Sequence, residues 1–210
     1  MVETDQVEVE RQLRAGELAC PCGGGLAPWG HARERSIRGL GMLRPRRARC
    51  AACRVTHVLL AVVCLLRRAD AVEVIGAALL SKAQGQGHRL IAARLERPAS
   101  TVRGWLRAFA LNAEAVRGIC MALLVQLDPL TGPRPVHAAA FADAVESVGA
   151  CAAAARRRLG VPAGVVSGGE PVVGEVSPWQ IAAAVTGGRL LAPAALTESI
   201  NTDTPLAAMR

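Results

Sequence analysis

Uncharged apolar runs are short in this sequence. The longest uncharged apolar run, Val58 to Leu66, closes on Arg67-Arg68, well short of the roughly twenty residues a membrane helix needs. A secretory leader is not expected either, since Met1 to Ala15 is acidic and polar rather than basic and then apolar. The seven cysteines are odd in number, and with no export signal expected they argue for a reducing cytosol and against a disulfide framework. No nucleophile elbow, phosphate-binding glycine loop or HExxH motif stands in the chain. These absences point away from a membrane protein and from an enzyme, toward a cytoplasmic binding protein.

What the chain does have is positive charge, unevenly placed. Its formal net charge is +8. Residues 31–54 hold eight arginines against the single Glu34, and residues 67–107 hold eight basic groups against Asp70, Glu73 and Glu96. The stretches before and after are net acidic. A general preference for arginine would scatter these residues, whereas clustered cations bind phosphates by releasing condensed counterions. A polyanion is the expected partner.

The sharpest pattern lies from His88 to Ala110, HRLIAARLERPASTVRGWLRAFA. Leu90, Ile91 and Leu95 recur at helical spacing, and small Ala92 permits a close helix crossing. Pro98 cannot continue a helix and disfavours helical geometry in the residue before it. Ser100 and Thr101 offer side-chain oxygens to the free amides of a second helix. Val102, Trp105, Leu106 and Phe109 form its apolar stripe. Ser100, Thr101, Arg103, Gly104 and Arg107 are left on the other face, as a helix that packs on one side and presents donors to a DNA major groove requires. The spacing of Ala92, Val102 and Trp105 resembles the helix-turn-helix family. Ser100 to Arg107 resembles the recognition helices of bacterial transposases and resolvases. Two positions depart from that family, Glu96 where glycine is frequent and Arg97 where an apolar residue is usual, which implies a longer or more open turn.

Upstream, Cys20-Pro21-Cys22-Gly23-Gly24 precedes Cys50-Ala51-Ala52-Cys53. Two close cysteine pairs separated by a loop suggest a tetrahedral zinc site made by Cys20, Cys22, Cys50 and Cys53. The first pair has one intervening residue where a knuckle would have two, and His57 or His31 could substitute as ligand. Leu26, Trp29, Ile37, Leu40, Met42 and Leu43 would supply a thin core around one ion. Cys64, Cys120 and Cys151 read as buried free thiols. In motif order, residues 18–112 resemble bacterial proteins encoded with insertion sequences, which join an N-terminal zinc ribbon to a helix-turn-helix, as transposase N-terminal regions and accessory proteins do.

The expected fold is mainly α: a small zinc-ribbon-like β element (1–66), a three-helix helix-turn-helix domain (67–112) and an alanine-rich helical C-terminal region (113–210). Helices are expected at Asp70–Ala83, Asn112–Leu127, Pro135–Gly160 and Trp179–Thr186. The last is capped by Ser177, with Pro178 in its first turn and Gly187-Gly188 closing it. Val161 to Val176 reads as loop, and the tail after Pro193 as mobile.

A transposase core needs three carboxylates on strands, and Asp128, Asp143, Glu146, Glu170 and Glu175 fall in helical or loop stretches. The expected function is therefore non-catalytic, sequence-specific binding of double-stranded DNA by a transposon-associated accessory factor. Arg103 and Arg107 would meet base edges, Ser100 and Thr101 bases or phosphates, and Arg89 and Arg94 the DNA backbone. Arg44, Arg46, Arg47 and Arg49 would add phosphate contacts. Two alternatives stay open: a host transcriptional regulator whose residues 113–210 sense a ligand or form a homodimer, and a module tethering a separately encoded transposase.

Overall fold

The computed structural model describes residues 2–131, 139–159 and 176–192. Helix α1 (Val2–Ala15) is followed by five short strands, β1 (Leu26–His31), β2 (Arg35–Ile37), β3 (Gly41–Leu43), β4 (Arg46–Cys50) and β5 (Thr56–Leu59). Five helices follow: α2 (Val72–Ala83), α3 (His88–Arg94), α4 (Ala99–Leu127), α5 (Ala140–Leu159) and α6 (Pro178–Val185). The expectation of a mainly helical chain with a small N-terminal β element holds. The stretch 161–175 and the residues after 192 lie outside the described residues.

The strands form an antiparallel sheet in the order β1-β4-β5 and a separate β2-β3 hairpin. Helix α1 had no counterpart in the sequence reading. Its Val9 and Leu13, four residues apart, cluster with Leu26, Ala48, Cys50 and Leu59 on one face of the sheet, because a sheet this small must bury its apolar face against something. Trp29 and Met42, expected in the core, are instead 53% and 58% exposed. Strand alternation turns Trp29 to the side opposite the buried Leu26.

Two features of the helical part differ from expectation. Ser100 and Thr101 do not cap α4; its N-cap is Pro98, with no side-chain hydrogen bond, and both residues lie within the first turn. Nor does the helix end near Ala110. It runs 29 residues to Leu127, because the apolar stripe of Val102, Trp105 and Phe109 continues in phase through Ala113, Val116, Cys120, Leu124 and Leu127. One apolar core spans α2 to α6, so the break expected at residue 112 does not interrupt the packing. Phe109 meets Phe141 of α5 edge to face at 4.8 Å. Helix α4 also has the length and composition of a membrane span. Its apolar stripe packs into the helical core, while Arg103 and Arg107 near its start are exposed.

The capping of α6 is as expected. Ser177 accepts from the Trp179 and Gln180 amides, Gln180 returns the bond to the Ser177 amide, and Pro178 occupies the first turn. The Ser177 hydroxyl also donates to Glu73 of α2. Gly76 of α2 faces the Trp179 ring so closely that a Cβ there would overlap it.

The β region and the helices are joined by one buried carboxylate. Asp70 is 2% exposed. It accepts two hydrogen bonds from Arg38, at 2.9 and 2.6 Å, and one from Arg97 at 2.6 Å. Burial acts to raise its pKa, but the hydrogen bonds and charges of the two guanidinium groups outweigh it and hold the carboxyl below its ordinary value. With a folded pKa below the unfolded one of about 3.9, the carboxylate stabilises fully above that value and its contribution is lost as pH falls further. Asp70→Asn is expected to cost on the order of 3 kcal/mol at neutral pH. The gap to the parent protein in thermal unfolding should close on acidification below pH ~4. A gap independent of pH would show that Asp70 does not act through its charge.

Candidate metal centre and basic surface

Each cysteine pair sits on a turn that small residues make possible. The Gly23 amide donates to Cys20 O at 2.8 Å and the Cys20 amide to Gly24 O at 2.8 Å, with Gly23 at φ 84°. Gly24 is required by space, since a Cβ there would stand 2.7 Å from Cys50 Sγ and 2.8 Å from Ala52 Cβ. The second turn leaves the end of β4. Cys50 N donates to Val55 O at 2.9 Å, Arg54 N to Cys50 O at 3.2 Å, and Arg54 takes a left-handed φ of 66°.

These turns bring four sulfurs to one point. Cys20 and Cys53 are 3.6 Å apart, Cys22 and Cys50 3.5 Å, and all four lie within 4.8 Å of one another. A tetrahedral site with zinc–sulfur bonds of about 2.3 Å has sulfur–sulfur edges of about 3.8 Å. The shortened first pair therefore converges as a full knuckle would. The four cysteines can hold a metal ion, and the set is compatible with zinc.

The Cys53 amide, 3.4 Å from the Cys50 sulfur, leads the effects that lower the Cys50 thiol to about 6. At Cys20 the Cys22 amide lowers the pKa, but burial and the neighbouring sulfurs raise it to about 12. The Cys50 thiolate forms readily while Cys20 and Cys53 resist, a conflict that a bound cation would resolve.

The two histidines separate. His57 is buried, with Nε2 3.3 Å from Cys20 Sγ and Nδ1 without a hydrogen-bond partner. It stands beside the cluster, oriented toward the Cys20 sulfur. His31 is exposed, and its Nδ1 lies 3.5 Å from Arg46 Nη1.

The basic residues divide into two groups. Ser100, Arg103, Gly104 and Arg107 are exposed at the start of α4, Thr101 is half-buried beside them, and Arg89 is exposed on α3. Arg94 donates to Ser81 of α2. Arg46 pairs with Glu10 of α1 at 2.6 Å and donates to Gly30 O at 3.1 Å. Arg47 is half-buried, with its Nε lacking a partner. Arg49 donates to Arg54 O at 3.1 Å and lies over the Trp29 ring, while Arg44 is exposed.

The turn between α3 and α4 is short, contrary to the expectation of an open one. Glu96 takes the left-handed conformation, φ 52°. The Arg97 amide donates to Ala92 O and the Glu96 amide to Ala93 O, at 3.0 and 3.2 Å, the pair of bonds that closes a helix on a left-handed residue. Sequence reasoning missed Asp70, Arg38 and Arg97 as a unit. Their signal was an acid just after an apolar run and Arg67-Arg68.

No protein-family model, curated protein or solved structure matches the chain.

The cluster sets an expectation of about one thiolate-bound metal ion per chain. Cys50→Ser should lose it together with the N-terminal sheet, whereas Arg103→Ala should retain both. Elemental analysis is the measurement, and a folded, metal-free preparation of the parent protein would refute the assignment.

Proposed function

We propose that the chain is a non-catalytic, sequence-specific DNA-binding protein in which α3, the turn at Glu96 and the start of α4 act as a helix-turn-helix. Arg103 and Arg107 would read base edges in the major groove. The observation that carries this reading is the exposed Ser100, Arg103, Gly104 and Arg107 face, held outward by Val102, Trp105, Leu106 and Phe109 in the core. Such a face offers forked donors to guanine while the opposite side fixes their position. The left-handed Glu96 supports the reading further, since it occupies the place where the family often has glycine. Ser100 and Thr101 would contact bases or phosphates, and Arg89 the DNA backbone.

In this reading the N-terminal part is a zinc ribbon holding one ion through Cys20, Cys22, Cys50 and Cys53, with His57 hydrogen-bonded to a ligand sulfur. Arg44, Arg47 and Arg49 would add phosphate contacts. Arg46 and Arg94 would contribute less than expected, because Glu10 and Ser81 already engage them. The biological role proposed is that of an accessory factor of an insertion sequence. A second reading, a module that tethers a separately encoded transposase, is favoured by exposed apolar side chains, Leu111 midway along α4, Val125 near its end and Leu130 beyond it.

Selection of bound duplexes from a random pool tests the main reading. Arg103→Ala should relax preference at one base position, where a bidentate guanine contact discriminates by about 1–3 kcal/mol. Arg44→Ala should weaken all duplexes alike and flatten the salt dependence. Uniform weakening by Arg103→Ala, with the preferred sequence unchanged, would remove the recognition helix from the account.

A further inference from the structure

The chain holds two phenylalanines, three tryptophans and no tyrosine. Trp105, Phe109 and Trp179 are buried and Phe141 is half-buried, so Trp29 is the exposed aromatic. An indole left 53% exposed in a protein this poor in aromatics calls for a partner. Its surroundings say which.

The strand register places Ala27 of β1 beside Arg49 of β4 and Thr56 of β5, and Arg47 beside Val58. Neighbours in register share a face, so Arg47 and Arg49 lie on one side of the sheet, while α1 packs on the other against Leu26, Ala48, Cys50 and Leu59. Trp29 belongs to that open side, because the Arg49 guanidinium lies over its ring, 4.6 Å from the centroid. Arg54 O holds Arg49 in that pose through Nε. Neither Arg47 nor Arg49 is paired with a carboxylate among the described residues, and the half-buried Arg47 has its Nε enclosed without a hydrogen-bond partner.

We infer that this open face of the sheet binds single-stranded DNA, with an unpaired base stacked on Trp29 and the flanking phosphates on Arg47 and Arg49. One side of the indole is covered by a cation, and what remains is a flat apolar surface rimmed with positive charge. A planar base carrying a phosphate on each side complements both properties. A duplex does not, since its bases are stacked on one another and only its phosphates would be met, for which the arginines suffice. The inference builds on the proposed DNA-binding role but concerns a surface separate from the α4 face.

The test uses the full chain with its metal and a labelled oligothymidine, an oligouridine of the same length, and a duplex, read by anisotropy and tryptophan emission. Oligothymidine is expected to quench the emission. Trp105 and Trp179 are buried and serve as an internal reference. Trp29→Ala should weaken oligothymidine binding by about tenfold or more and leave duplex binding unchanged. Trp29→Phe should restore most of the affinity while abolishing the quench. Arg49→Gln, which spares the ring, should weaken binding and flatten its salt dependence. Arg103→Ala should do the reverse of Trp29→Ala, weakening the duplex alone. If Arg103→Ala has no effect while Trp29→Ala does, the major-groove reading falls and this one stands. Unchanged oligothymidine affinity in Trp29→Ala overturns the inference, as does absence of quenching in the parent protein. Tighter binding to oligouridine overturns the assignment to DNA.

Discussion

A carboxylate removed from water must be matched by charge and hydrogen bonds, and at Asp70 that requirement organises the molecule. Its partners come from two directions. Arg38 follows β2 of the N-terminal hairpin, and Arg97 lies in the turn between α3 and α4. One side chain therefore fixes where the hairpin docks, where α2 begins and how the α3–α4 turn is oriented. The adjacent backbone follows the same path, with the Arg38 amide donating to Ala69 O at 2.7 Å. Ile37, Leu43, Ala61, Val63, Cys64 and Ala71 pack together at this junction. Arg97 thus ties the α3–α4 turn to the β2-β3 hairpin through their shared carboxylate.

The same reasoning sorts the arginines. A guanidinium is a fork of donors, equally suited to internal carboxylates and carbonyls and to external phosphates. Arg38, Arg46, Arg94 and Arg97 meet internal acceptors, and Arg68 reaches Leu191 O at 3.1 Å to hold the segment after α6. Arg44, Arg89, Arg103 and Arg107 remain exposed. A count of positive charge along the chain overstates the surface that a polyanion would meet, because part of that charge is structural cement.

The N-terminal part shows how a thin core is supplemented. Among the described residues, eight make up its main apolar cluster, two of them cysteines of the metal-binding set, too few for independent stability in water. The four converging thiols supply the missing cross-link when they hold a metal, tying the segment before β1 to the turn after β4. In the helical part the balance is reversed, and one continuous apolar core spans α2 to α6. Helix α4 contributes to that core from Val102 to Leu127, so its exposed basic end is anchored by the same stripe as its buried middle.

Local rules were legible in the sequence. Periodicity marked α2, α3 and the start of α4, Pro98 the turn before α4, Ser177 and Pro178 the start of α6, and small residues beside the cysteines the two sharp turns. The amphipathic face of α4 could be read residue by residue, because helical period alone decides which side chains share a side. What the sequence did not contain was the outcome of competition between distant groups. Val9 and Leu13 became a lid because a small sheet needed covering. Trp29 was turned outward by strand alternation. Ser100 and Thr101 lost their capping role once the chain entered α4 directly from Pro98, and α4 ran on because its apolar stripe stayed in phase with a core that α5 and α6 complete. Asp70 met Arg38 and Arg97 across 32 and 27 residues. Such pairings are set by three-dimensional packing and by the cost of leaving a buried charge unmatched, and neither is written in the spacing of residues along the chain.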